Sequence, residues 1–137
     1  MMMNKLATAS VVLFIAACCL PCLEWQKAGQ PNDIMFGGRA LLLGWSGLFS
    51  GVYGWLANPF WVLALFFALI RKPTITSVLG AIALAIALTT FGVVGKELPG
   101  DEGGVTKTTI VRILPGCYVW LISMLSLAAA AILPGTR

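Results

Sequence analysis

The chain contains no histidine, and its five acidic residues, Glu24, Asp33, Glu97, Asp101 and Glu102, fall in two short polar stretches. The side chain that titrates nearest neutral pH and most often ligates metals is therefore missing. Charge of either sign is scarce. Only 10% of the residues are charged and 59% are hydrophobic, against about 25% and 45–50% in a soluble domain. The mean hydropathy of +0.94 has the same implication. A net charge of +4 could point to nucleic acid, but the nine basic residues are scattered and form no stripe, which excludes that partner class. No phosphate-binding loop and no catalytic constellation is present.

What remains is apolar sequence in long runs. About 20 apolar residues cross the roughly 30 Å hydrocarbon core of a bilayer. Four spans are predicted on that basis, at about 6–20, 40–70, 74–94 and 115–133, with outer loops at 21–39 and 95–114. Backbone amides left unpaired in lipid are costly, so each span is expected to be helical. The resulting expectation is an all-α fold: a polytopic membrane protein with four transmembrane helices in a bundle, one transmembrane domain over residues 1–137. With both termini cytoplasmic, Lys5, Arg71, Lys72 and Arg137 lie inside and all five acids outside. The short basic turn Arg71-Lys72 is the main topological signal.

The second span is too long for a simple crossing. At about 1.5 Å per residue, the charge-free stretch 40–70 would extend about 46 Å as one helix. A kink, or a partly interfacial or re-entrant piece, is predicted around Asn58-Pro59, because proline removes a helical hydrogen bond. Gly44, Gly47, Gly51 and Gly54 recur every three or four residues and predict a side-chain-free face for helix packing.

The four cysteines are the chemically distinctive group. Cys18, Cys19 and Cys22 close the first span and Cys117 opens the fourth, so all four are expected near one membrane face. They are candidates for a disulfide between the first loop and Cys117, or for buried apolar thiols. Cys19-Leu20-Pro21-Cys22 is also a CxxC. In span count and in one loop CxxC the chain resembles four-helix membrane thiol oxidases, and that resemblance implies a Cys19/Cys22 exchange pair. Ile15-Ala16-Ala17-Cys18 also fits a lipoprotein box, which would place a lipid on Cys18.

The functional expectation is a small bacterial inner-membrane protein with no catalysis, cofactor or metal of its own. It would act as an accessory subunit in the lipid bilayer, packing against a larger membrane complex or against itself. Two alternatives belong to other classes: a membrane thiol-disulfide oxidoreductase, and an immunity protein against a pore-forming toxin, which small four-span immunity proteins resemble in architecture.

Overall fold

The computed structural model describes residues 2–100 and 105–131, so Asp101, Glu102 and the end of the fourth predicted span lie outside the described residues. Helices form within the apolar runs. They are α1 (Met2–Cys19), α2 (Gly37–Leu43), α3 (Ala57–Leu69), α4 (Pro73–Leu88) and α5 (Pro115–Ala128). Pro73 and Pro115 sit in the first turns of α4 and α5, where a missing N–H leaves no hydrogen bond unmade.

The all-α expectation is overturned by the two polar stretches. They pair with each other as strands β1 (Pro21–Lys27), β2 (Asp33–Phe36), β3 (Glu97–Pro99) and β4 (Lys107–Ile113). Together they form one antiparallel sheet in the order β2-β1-β4-β3. Each stretch is too short to fold alone, but β1 and β4 supply each other's backbone partners across the chain. The local signal lies in Lys107-Thr-Thr-Ile-Val-Arg-Ile113, where β-branched residues crowd a half-buried strand. Glu24 and Arg112 face each other across the central strand pair and are ion-paired.

The four-helix transmembrane bundle is corrected with it. One helix among the described residues is long and apolar enough to cross a bilayer, the 21 residues Pro73–Val93 formed by α4 and its 3-10 continuation. The apolar helices Asn4–Cys19, Gly54–Leu69 and Pro115–Ala128 are shorter.

The expected second span, 40–70, is broken well before Asn58-Pro59. The chain runs from α2 into 3-10 turns at Gly44–Ser50 and Gly54–Leu56 before α3 begins. Gly51 caps the first of these turns in the left-handed region, with φ 78°. Pro59 lies in the first turn of α3, where it disturbs no helical bond. The break falls among glycines because they carry the largest entropic penalty for staying helical.

In the helical layer, α4 packs between α3 and α5, and α1 lies along α5. Most buried positions on α3 and α4 carry small side chains, Trp61 being the exception. Ala57, Trp61, Ala64 and Ala68 on α3, and Thr76, Gly80, Ala83 and Ala87 on α4, recur at spacings of four, three and four. A Cβ built on Gly80 would lie 2.6 Å from the Ala128 nitrogen, so α4 and the end of α5 meet backbone to backbone. Trp61 stacks on Phe14 at 4.1 Å and brings α3 onto α1.

The α3–α4 turn ends in a tight cap. Arg71 N–H donates to the Ala68 carbonyl and Lys72 N–H to the Phe67 carbonyl, with Arg71 at φ 57°, where glycine is usual. Since α4 and its continuation span about 30 Å at helical rise, this basic turn and the sheet occupy opposite ends of the helical layer.

Candidate functional site

The sheet meets the helices where α1 ends and α2 and α5 begin. Gly37 N–H donates to the Leu20 carbonyl at 3.0 Å, and Leu114 N–H to the Cys22 carbonyl at 2.8 Å. A Cβ on Gly116 would lie 2.7 Å from the Pro21 carbonyl oxygen, and one on Gly37 would collide with the Ala17 carbonyl. The end of α1 is therefore clasped between the first turns of α2 and α5, each of which carries a glycine at the contact.

Inside this junction is an apolar cavity of about 110 Å³, walled by Phe14, Leu41, Val52 and Trp55 and reached by Cys18, Cys22 and Cys117. For scale, an apolar cavity of about 150 Å³ is known to hold benzene. The cavity's polar edge is satisfied internally. Trp120 Nε1 donates to Asn58 Oδ1 at 2.9 Å, Asn58 Nδ2 to the Trp55 carbonyl at 3.0 Å, and Trp55 Nε1 to the Leu41 carbonyl at 2.8 Å. Asn58 thus acts as a buried connector between α3, α5 and the preceding turn. A second buried chain lies deeper, where Trp61 Nε1 donates to Ser10 Oγ at 2.8 Å and Ser10 Oγ to the Ser123 carbonyl at 2.6 Å.

The cysteines are distributed unequally. Cys19 is exposed, Cys18 half-buried, and Cys22 and Cys117 are buried. Of the first-loop cluster, it is Cys22 whose thiol hydrogen-bonds that of Cys117. That bond, followed by burial, holds Cys22 well above the ordinary thiol range, so it keeps its proton and is a poor nucleophile. The CxxC residues Cys19 and Cys22 therefore occupy different environments, one at the surface and one in the junction.

The four glycines singled out from the sequence do not share one helical face. Gly44 abuts the Trp55 ring, Gly47 abuts Val52, Gly54 abuts Thr90, and Gly51 has open space around it. Within the α3–α4–α5 layer a backbone-to-backbone approach occurs instead at Gly80. Its signal was legible as small residues at 76, 80, 83 and 87, but the alternating Ala-Ile-Ala-Leu run over the same stretch hides it.

The ion pairs lie on and beside the sheet. The Glu24 carboxylate accepts from Asn32 at 2.8 Å and from Arg112, and these bonds hold it below the usual glutamate range. Lys107 pairs with Glu97, which raises its ammonium above the usual lysine range. Arg39 reaches Asp33 at 3.7 Å, and Lys27 lies over the Trp25 ring. Among the described residues no three histidine, cysteine or carboxylate side chains converge to hold a metal ion. Comparison with protein-family models, curated proteins and solved structures found no match, so the functional reading rests on the geometry alone.

Proposed function

We propose that the protein is a small membrane-embedded accessory subunit without catalysis of its own. Its helical layer contacts lipid or a larger membrane partner, and its four-stranded sheet stands at the membrane surface. The observation that carries this reading is the inverted distribution of side-chain size. Ala64, Ala68, Ala83 and Ala87 are 0–1% exposed, whereas Val62, Phe66, Leu69 and Val78 are 54–68% exposed on the same two helices.

A water-soluble helix buries its large apolar side chains, because burial stabilises each by about 1.5–3 kcal/mol. In lipid that driving force between helices vanishes, and small residues line the contacts so that backbones can approach closely. While α5 also buries Leu121, Met124 and Leu127, on α3 and α4 most buried positions follow the second pattern, Trp61 excepted. Charge follows it too: the ion pairs gather on the sheet, and Arg71 and Lys72 cap the opposite end. An apolar outer surface of this extent needs lipid or protein against it.

Site-directed spin labels test the proposal. Labels at 62, 66, 78 and 122, in protein reconstituted into vesicles, should be reached by oxygen and shielded from a water-soluble nickel chelate. Labels at 107 and 112 on the sheet should show the reverse. Equal chelate access at both sets would refute a lipid-facing helical layer.

A further inference from the structure

The geometry points to a covalent modification site at the helix–sheet junction: a disulfide between Cys22 and Cys117 that ties β1 to the first turn of α5. Three independent features bring the two sulfurs together. The register of β1 against β2 slips between Pro21 and Leu23, leaving Cys22 as the bulged residue, and a bulge of this kind re-aims its side chain. On the other side of β1, the Cys22 carbonyl accepts from Leu114 N–H at 2.8 Å, which fixes the start of α5 beside the bulge. Gly116, with no side chain, lets this turn close onto the Leu20 and Pro21 carbonyls, so Cys117 and Cys22 are both buried and line the same cavity.

The other first-loop thiols are placed differently. Cys19 faces outward and Cys18 lies half-buried on the cavity wall. The bond selected is therefore Cys22–Cys117, neither within the CxxC nor to Cys18.

The chemistry balances with an external disulfide as oxidant, the class of reagent that an oxidising compartment supplies. During folding, before the junction closes, one of the two cysteines attacks that disulfide as the thiolate. A mixed disulfide forms and one thiol leaves. The second cysteine then attacks the mixed disulfide and releases the other thiol. Each cysteine gives up its proton, and the two electrons end on the departing thiols.

The test uses full-length protein extracted from membranes without reductant. The sample is unfolded and alkylated with a light reagent, so that burial cannot protect a thiol, then reduced, alkylated with a heavy reagent and mapped by mass spectrometry. Cys22 and Cys117 should carry only the heavy label and Cys18 and Cys19 the light one, and the unreduced protein should be lighter than the reduced form by two hydrogens. Light label on Cys22 and Cys117 would overturn the inference, as would a bond joining Cys22 to Cys18 or Cys19.

Discussion

The close approach of α4 and α5 at Gly80 can be perturbed by a single methyl group. In Gly80→Ala the new Cβ would sit 2.6 Å from the Ala128 nitrogen and 2.9 Å from the Leu127 carbonyl carbon, where ordinary contact begins near 3.4 Å. These neighbours are backbone atoms and cannot rotate away, so the helices must part by about 0.8 Å, the difference between those separations. A gap of about that size removes a quarter to a half of the dispersion energy between facing atoms. Overpacking of this kind costs about 1–3 kcal/mol.

Replacing glycine by alanine also returns up to about 1 kcal/mol of helix propensity, which would mask part of the loss. Gly92→Ala supplies the control. Gly92 lies in the 3-10 continuation of α4, and a Cβ there meets nothing within 4 Å. Unfolding midpoints in mixed micelles, followed by tryptophan fluorescence, should place Gly80→Ala about 1–3 kcal/mol below Gly92→Ala. A difference within about 0.3 kcal/mol, the scatter expected of unrelated sites, would refute the backbone-to-backbone packing.

Other perturbations read different parts of the molecule. Ser10→Ala leaves the Trp61 N–H buried without its acceptor and should lower stability by about 1–3 kcal/mol in the same titration. Arg71→Gly relieves a left-handed residue and should raise the unfolding free energy by about 1 kcal/mol, while fusion reporters at the α3–α4 turn should show weaker retention on one side of the membrane. Glu24 is held below its unfolded-state titration range, so its bonds to Asn32 and Arg112 contribute fully above that range and are lost as pH falls through the lowered value. Hydrogen-exchange protection factors in β1 and β4, referred to the intrinsic rate at each pH, should fall on acidification below about pH 4, and Glu24→Gln should flatten that dependence. If the Cys22–Cys117 bond is present, it closes a loop of roughly 95 residues. Reducing it should then cost about 4–5 kcal/mol, read as a lower unfolding midpoint in reductant.

The apolar runs, the proline starts of α4 and α5 and the cluster of polar residues in two stretches are local facts, and each was legible in the sequence. The small residues at 76, 80, 83 and 87 are present in the sequence too, but the alternating Ala-Ile-Ala-Leu run masks their spacing, and the packing face is expected instead at Gly44, Gly47, Gly51 and Gly54. The sheet was not legible as a sheet. Thr108 to Ile113 has strand character, but Glu24 and Arg112 lie 88 residues apart, and no local pattern states that β1 and β4 will complete each other's hydrogen bonds.

The breaking of 40–70 at its glycines and the choice of Cys22 over Cys18 and Cys19 as the neighbour of Cys117 are of the same kind. Composition and periodicity determine which segments leave water and which faces are small, because those are properties of single elements. Tertiary structure alone decides which strand edge, carbonyl or thiol finds its partner, because a hydrogen bond or a sulfur contact depends on positions that only the folded chain brings within a few ångströms.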